Sequence, residues 1–487
     1  MDFYVKHIIL ILRGNEMVFA DLFFIYLFLP LCLISYLIAR NIKAKNIVLI
    51  VFSVLFYAWG EPVWILLLLF SSFMNWYAGI LMEKHRDKGK LIVGTAIVIN
   101  LLFLFIFKYS GFFVETINGA LGLNIPVPQI VMPIGISFFT FQAISYVLDC
   151  YWENVKVQKQ YYKFLLYISL FPQLIAGPIV RYSAIEEEID NRSTDMNDVC
   201  EGALRVILGL AKKVILANNL WAIVTAFFGK DITTLSFVGT WYGVIVYSLY
   251  VYFDFSGYSD IAIGLGRIFG FHFDENFRHP FISKTIAEFW QRWHISLGSF
   301  FRDYLLYVPV FGKNRKYLSL FLVWFSTGIW HGAAWNYIIW GLYFGCFIFF
   351  EQKLGKKRMK KWPNWWKHIY SKLVIIIGFG IFYFEDLGQL GRFFMNIFGI
   401  SMLTNGNAFS DIIVASSFRN NMFLVIAALL CSMPILPKIK SFFLESKNDA
   451  IYAVGRVGSV VACLGLLIIL SILLVDSTNN PFLYFRF

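Results

Sequence analysis

The sequence predicts an all-α membrane protein with many spanning helices, and three observations lead to that fold class. Hydrophobic residue types make up 59% of the 487 residues, and charged types make up only 15%. Soluble proteins carry about 25% charged residues, so this chain is poorly supplied for a water-exposed surface. Apolar stretches also recur along the chain at close to the length of about 20 residues that a membrane helix needs.

These apolar stretches predict about 11–13 helices that span the membrane or re-enter it. The candidate spans are residues 19–39, 46–59, 62–83, 91–107, 130–150, 162–180, 201–228, 236–254, 318–330, 334–350, 370–386, 420–436 and 451–475. Several of them are short or contain proline, glycine or charged residues, so we expect tilted, broken or re-entrant helices in the middle of the chain. Irregular backbone of this kind is tolerated at membrane depth only where protein or a water-filled cavity covers it.

Basic residues outnumber acidic ones by 42 to 30, which gives a net charge of +12. They concentrate in short loops between the apolar stretches, at residues 40–45, 84–90, 156–163, 313–316, 353–367 and 438–447. This distribution is typical of cytoplasmic loops beside anionic lipid, and it argues against nucleic-acid binding as the reason for the charge. With the last basic loop inside the cell, the helix at 451–475 would carry the C-terminal tail to the extracytoplasmic side.

We expect three parts in the chain. Residues 1–16 form a more polar extension that precedes a second possible start at Met17, residues 17–475 form a single membrane domain, and residues 476–487 form a tail. The tail ends in a run of aromatic residues, which favours docking against protein over exposure to water. The six cysteines contain no CxxC pair and lie mostly in apolar stretches, so we expect no disulfide framework, metal site or bound cofactor.

Most of the unexpected polarity lies between residues 250 and 340, where ionisable side chains at membrane depth cost at least about 2.5 kcal/mol near a helix centre. His331 lies between two apolar stretches, flanked by Trp330 and Trp335 and followed by Gly332. Imidazole is the natural general base near neutral pH. A histidine that simply bonds to a neighbouring helix remains an alternative for His331, and an interfacial histidine in an aromatic belt remains one for His294.

Five further charged residues have structural alternatives. Arg302 and Asp303, with Arg292, would serve equally well as a charge network that holds a re-entrant segment together. Asp254 and Asp260 follow the predicted span 236–254, where small polar residues are typical of helix caps.

Six motifs occur in a specific order along the chain. They are Met132-Pro-Ile-Gly-Ile-Ser-Phe-Phe-Thr-Phe, Ala176-Gly-Pro-Ile-Val-Arg181, Asp254-Phe-Ser-Gly-Tyr-Ser-Asp260, Glu288-Phe-Trp-Gln-Arg-Trp-His-Ile-Ser-Leu297, Phe301-Arg-Asp-Tyr304 and Gly328-Ile-Trp-His-Gly-Ala-Ala-Trp335. In this order the chain resembles the membrane-bound O-acyltransferase family over nearly its whole length from Met17. The likeness is greatest to the bacterial branch that O-acetylates alginate, peptidoglycan and other polysaccharides.

The resemblance implies a fold around a central tunnel that brings a cytoplasmic thioester to an acceptor from outside. It implies that His331 is the catalytic histidine and that His294 is a second signature residue, which orients the thioester or polarises its carbonyl. The same motifs supply the candidate substrate-binding residues Trp290, Trp293, Trp330, Trp335, Arg302 and Asp303. One departure from the family pattern follows Tyr304, where residues 305–312 form a stretch one residue longer and one glycine poorer.

The tail sequence Phe482-Leu-Tyr-Phe-Arg-Phe487 resembles the C-terminal F-x-Y-x-x-F motif of polysaccharide acetylation membrane proteins. There the tyrosine is thought to carry the acyl group through the membrane, and the resemblance implies that role for Tyr484. A phenol has a pKa of about 10, so it needs a base to attack efficiently at neutral pH. An aromatic anchor at the membrane interface is the alternative interpretation of this tail.

Together these expectations describe an acetyltransferase of the bacterial plasma membrane. Acetyl-CoA would be the donor substrate, and an extracytoplasmic esterase-like partner of the SGNH type would pass the acetyl group to a cell-surface polysaccharide. Two alternatives remain at this point. One is D-alanyl transfer to teichoic acids from a carrier-protein thioester, and the other is a glycan transporter or flippase without covalent chemistry.

Overall fold

A computed structural model describes residues 17–229, 231–307, 315–446, 448–475 and the single tail residue Phe482. Within those ranges the regular secondary structure is entirely helical, with no β-strand. The all-α fold class predicted from the sequence is therefore confirmed. The extension at residues 1–16 and the carrier candidate Tyr484 lie outside the described residues.

Twenty-two α-helices occur in the described residues, and we number them in chain order. They are α1 Leu29–Ile38, α2 Ile42–Gly60, α3 Ile65–Lys84, α4 Gly89–Leu104, α5 Ser110–Leu121, α6 Ile136–Tyr151, α7 Tyr161–Ser169, α8 Phe171–Leu174, α9 Tyr182–Asn191, α10 Met196–Ala211, α11 Asn218–Phe228, α12 Phe237–Ile268, α13 Ile286–Trp290, α14 Ile295–Phe301, α15 Lys316–His331, α16 Trp335–Lys360, α17 Asn364–Tyr383, α18 Leu387–Ile397, α19 Ile400–Thr404, α20 Ile412–Cys431, α21 Ile435–Leu444 and α22 Asp449–Val475. Short π-helical turns at Phe105–Tyr109, Lys212–Ala217 and Arg302–Leu306 continue α4, α10 and α14.

Six helical stretches in the described residues are long and apolar enough to cross a membrane. They are Ile42–Gly60, Ile65–Lys84, Arg86–Leu121, Met196–Phe228, Ile412–Cys431 and Asp449–Val475. Several other predicted spans coincide with shorter or more polar helices, among them α15, α16 and α17. A multi-pass membrane protein is the architecture that these helices support.

The structure breaks one predicted span, as expected for spans that contain proline, and it contradicts one alternative about helix starts. The predicted span 162–180 is broken, because α7 ends at Ser169, Leu170 is non-helical with ψ 110°, and only the single turn of α8 follows, with Pro172 in it. Asp254 and Asp260 do not cap helix starts, because α12 continues through both of them. Each carboxylate is paired within the protein, so its charge is neutralised inside the helix; Asp254 bonds to Lys213 and Asp260 to Arg205.

The chain divides into two compact units. Unit 1 comprises residues 1–206 and 259–275, and unit 2 comprises residues 207–258 and 276–487. In unit 1, an aromatic cluster includes Phe19, Phe24, Phe28, Phe56 and Phe171. Both candidate histidines belong to unit 2, where side chains from α12, α13, α15, α16 and α17 form a continuous hydrophobic core.

The short helix α13 is held in unit 2 by a carboxylate from a different helix. Glu351 of α16 is buried and accepts hydrogen bonds from the backbone N–H groups of Ile286 and Ala287, at 2.6 and 2.9 Å. These amides lie in the first turn of α13, which has no intrahelical partner for them. Just before that turn, the carbonyl of Ser283 accepts from Ser371 Oγ and Lys372 Nζ of α17. The chain segment that leads to His294 is thus fixed by α16 and α17.

Replacement of Glu351 by alanine should destabilise the protein, because it leaves two buried amides unsatisfied at about 1–3 kcal/mol each. We expect Glu351→Ala to lower the free energy of unfolding by about 2–5 kcal/mol in detergent. Gln352→Ala, on the exposed face of the same helix, is the matched control and should unfold like the wild type. Equal unfolding temperatures for Glu351→Ala and Gln352→Ala would contradict this role.

Candidate active site

His331 is the last residue of α15, at the turn of the helical hairpin that α15 forms with α16. The two helices pack closely, since a side chain on Gly328 or Gly332 would collide with Tyr337 of α16. At Gly332 the backbone is extended and leaves the helix directly after the histidine. The glycines on both sides of His331 therefore let the turn close, and the turn fixes where the imidazole lies.

Three aromatic rings surround the imidazole of His331, which is only 8% exposed. Trp330, Trp340 and Phe382 lie at ring-centroid distances of 4.9, 4.8 and 5.2 Å, each nearly edge-to-face. Directional contacts of this kind favour one ring orientation over a freely rotating side chain. The imidazole is thus oriented by packing inside unit 2.

Phe382 is held against His331 by the beginning of α16. Asn336 is fully buried and its Nδ2 donates to the carbonyls of Ile381 and Phe382, at 3.3 and 3.1 Å. Next to it, the hydroxyl of Tyr337 donates to Glu385 Oε1 at 2.7 Å. The residues after His331 thus anchor the end of α17 beside the imidazole.

His294 precedes α14 and has a left-handed backbone, with φ 45°. Its side chain is 1% exposed, so the imidazole is packed inside the protein and not on its surface. A left-handed conformation is unfavourable for residues other than glycine and is maintained only where the surrounding structure enforces it. Burial lowers the pKa of His294 to about 3, which keeps the ring neutral at physiological pH.

The tautomer of His294 follows from its hydrogen bond to Asn276. Asn276 Oδ1 accepts from the backbone N–H and the hydroxyl of Ser296, at 3.2 and 2.9 Å, which identifies this atom as the amide oxygen. His294 Nδ1 lies 3.3 Å from the same oxygen. An amide oxygen can only accept, so Nδ1 carries the proton and Nε2 carries the lone pair.

The indole ring of Trp330 packs against both histidines. The Trp330 ring lies 4.9 Å from the His331 ring and 5.8 Å from the His294 ring, centroid to centroid. The other side of His294 meets Phe255 of α12, edge-on at 4.6 Å. Residues that are 37 positions apart in sequence are thus brought together around one tryptophan, which the sequence pattern alone could not establish.

The other predicted site residues fall into two groups. Trp290 packs on Trp324, Trp340 and Phe344, and Trp293 stacks on Phe289, so both belong to the aromatic core around the histidines. Trp335, Arg302 and Asp303 lie further out: the Trp335 side chain is 45% exposed, and Arg302 Nε bonds to the neighbouring Asp303 at 2.7 Å. Substrate binding by these residues stays a prediction.

A buried ion pair was missed in the sequence analysis. Lys213 Nζ donates to Asp254 Oδ1 at 2.5 Å, and their side chains are 3% and 2% exposed. A lysine in the middle of the predicted span 201–228 was a visible signal, since charge at membrane depth usually has a partner or a function.

The tail residue Phe482 is also buried, and its ring lies 4.4 Å from that of Tyr258.

Comparisons with known proteins match this arrangement to one family. The model of the membrane-bound O-acyltransferase family matches residues 51–387, which include both histidines. A probable alginate O-acetylase AlgI of Pseudomonas aeruginosa is 36% identical over 395 residues, covering 78% of this chain and 75% of the relative.

Two further relatives come from other bacteria. The peptidoglycan O-acetyltransferase of Helicobacter pylori is 33% identical, covering 69% of this chain and 71% of the relative. The teichoic acid D-alanyltransferase of Bacillus subtilis is 33% identical, covering 63% of this chain and 81% of the relative. All three names describe acyl-transfer enzymes, so the comparisons favour covalent chemistry over the transporter alternative. The chain belongs to the membrane-bound O-acyltransferase family and is an acyltransferase.

Proposed function

We propose that this protein takes an acetyl group from a cytoplasmic acetyl thioester, acetyl-CoA, and supplies it for O-acetylation of a cell-surface polysaccharide. The observation that carries the proposal is the pair of buried histidines on Trp330, in a chain whose relatives include an alginate O-acetylase and a peptidoglycan O-acetyltransferase. In this reading Tyr484 carries the acetyl group through the membrane. A separate extracytoplasmic esterase-like partner of the SGNH type receives it.

The first step forms an aryl ester. His331, as the neutral imidazole, takes the proton from the Tyr484 hydroxyl while the phenolate oxygen attacks the thioester carbonyl carbon. The carbon–sulfur bond breaks, and the leaving thiolate receives the proton from the imidazolium to give free CoA. His294 orients the thioester or polarises its carbonyl from the other side of Trp330.

The second step transfers the acetyl group to the partner. A serine hydroxyl of the partner attacks the acetyl-tyrosine carbonyl, and the phenol leaves with a proton. A thiol has a pKa of about 8.5, a phenol about 10, and an aliphatic alcohol a far higher one. Each transfer therefore goes to a poorer leaving group, so the sequence thioester, aryl ester, alkyl ester runs downhill.

Support for a carrier in the tail comes from Phe482. Its ring packs edge-on against Tyr258 of α12, and Phe255, one helical turn earlier, contacts His294. Side chains three residues apart on a helix lie on the same face. Tyr484 is two residues beyond Phe482 in sequence, and two residues span at most about 7 Å. Phe482, which anchors the tail, and His294 thus contact residues on the same turn of α12.

D-alanyl transfer remains a second candidate, favoured by the similarity to the teichoic acid D-alanyltransferase of Bacillus subtilis. The two functions differ in the donor thioester. A purified protein that labels from acetyl-CoA performs the first function. A protein that labels only from a D-alanyl carrier protein performs the second.

Replacement of His331 should slow transfer strongly, because the imidazole that takes the phenol proton is lost. We expect His331→Gln to slow the release of CoA thiol from acetyl-CoA by about 10²–10⁴-fold, measured with purified protein in a single turnover. His85→Gln, an exposed histidine in unit 1, is the control and should react at the wild-type rate. A His331→Gln protein that is folded and reacts at the wild-type rate would exclude His331 as the base.

Variants at position 294 separate the imidazole from its unusual backbone. Glycine adopts the left-handed conformation without strain, whereas alanine does so at a cost of about 1–2 kcal/mol. If the imidazole acts on the thioester, His294→Gly and His294→Ala should both lose about 10²-fold in rate, and the glycine variant should be the more stable of the two by about 1–2 kcal/mol. Wild-type activity in His294→Gly would show that only the backbone matters.

The carrier role of Tyr484 predicts an acyl-enzyme. After incubation with radioactive acetyl-CoA, the wild type should carry one hydroxylamine-labile acetyl group on the tail, and Tyr484→Phe should carry none, because phenylalanine lacks the nucleophilic oxygen. Tyr452→Phe, a matched change near the start of α22, should label normally. Equal labelling of Tyr484→Phe and the wild type would rule out the carrier.

A further inference from the structure

We infer that the buried Lys213–Asp254 pair, together with Tyr258, is a docking site for the C-terminal tail, with Phe482 as the anchoring side chain. Only the purpose of the docking site rests on the proposed function. That purpose is to fix which tail residue lies beside the histidines. Lys213, Asp254 and Phe482 would then be positioning residues that act through the tail.

The ion pair exists because two helical segments come unusually close. A side chain on Gly257 of α12 would lie 2.8 Å from the carbonyl oxygen of Gly209, just ahead of the π-helical turn that carries Lys213. This approach brings Lys213 Nζ to 2.5 Å from Asp254 Oδ1. Desolvating both charges costs more than their attraction usually returns, so a pair of this kind is poor evidence for stability alone. The presence of this buried pair therefore fits a further role better.

Phe482 meets this pair through contacts that depend on an aromatic ring. Lys213 Nζ lies over the face of the Phe482 ring, 4.7 Å from its centroid. Tyr258 meets the same ring at 88° with a centroid distance of 4.4 Å. A cation over the ring face and an edge-to-face neighbour both use the ring quadrupole, which leucine lacks. The site therefore selects phenylalanine over an aliphatic residue of similar size.

The docking site and the candidate active site are contacted by the same turn of α12. Asp254, Phe255 and Tyr258 lie within five residues of α12, and they contact Lys213, His294 and Phe482 respectively. A tail anchored at Tyr258 is thus held one helical turn from the residue that packs on His294. Phe482 determines which tail residue reaches the histidines, and its loss should slow transfer to the tail without weakening donor binding.

The direct test is photo-cross-linking in the full-length protein, with p-benzoylphenylalanine incorporated at position 482. We expect cross-linked peptides that contain residues 212–217 or 254–258. The double variant Lys213→Met with Asp254→Leu removes both charges together, which avoids leaving one buried charge alone, and should lower that cross-link yield by about fivefold. Cross-links that map elsewhere, or a yield unchanged in the double variant, would overturn the docking site.

A kinetic test uses tail variants, which leave the residues of the docking site intact. Phe482→Leu should slow the single-turnover labelling of the tail by about fivefold at saturating acetyl-CoA, with an unchanged KM for acetyl-CoA, and Phe482→Tyr, which keeps the ring, should restore the rate. Wild-type labelling in Phe482→Leu would overturn the anchoring role. Failure of the proposed function gives a different result. If the tail cross-links to residues 212–217 or 254–258 but the Tyr484→Phe variant still labels, the docking site is supported and the carrier role of Tyr484 is excluded.

Discussion

The hydrogen bonds that Glu351 accepts from the first turn of α13 are the interaction on which the site depends. Short helices and turns between α12 and α15 expose amides and carbonyls that a low-dielectric interior cannot leave unpaired. Glu351 satisfies two of these amides, and Ser371 and Lys372 satisfy the carbonyl of Ser283. With the start of this segment fixed, His294 can be held in a left-handed conformation that an unsupported chain would relax.

Around that fixed segment, the two histidines are placed by packing against one tryptophan. His331 depends on the tight turn of the α15–α16 hairpin, and His294 depends on Asn276 and on α12. Trp330 contacts both rings, so a shift of either element would disturb both imidazoles. Oriented groups in a water-poor interior are worth far more to catalysis than the same groups in water. In the proposed function, the many aromatic residues of the motifs therefore contribute to catalysis by orienting the two imidazoles and excluding water.

The sequence predicted the fold class and the family, and both are confirmed, because composition and ordered motifs are local properties; the catalytic roles of the two histidines stay a prediction. It did not predict that α12 runs unbroken through Asp254 and Asp260, since that depends on the distant partners Lys213 and Arg205. The break in the span 162–180 fits the expectation of broken helices, but its position at Leu170 was not predicted. Burial of His294 and its contact with Trp330 arise from tertiary packing, which periodicity does not report. The aromatic residues of the tail predicted docking against protein, and Lys213 within the predicted span 201–228 was a clue to its place.

The central claim is that the donor thioester is brought to the histidine pair on Trp330. A structure of the protein with acetonyl-CoA, in which a methylene group between the sulfur and the carbonyl carbon makes the acyl group uncleavable, tests it directly. The account predicts the ketone carbonyl beside Trp330, with the imidazole of His294 or His331 within hydrogen-bond reach, about 3 Å. An analogue bound with its carbonyl remote from both imidazoles would contradict the account.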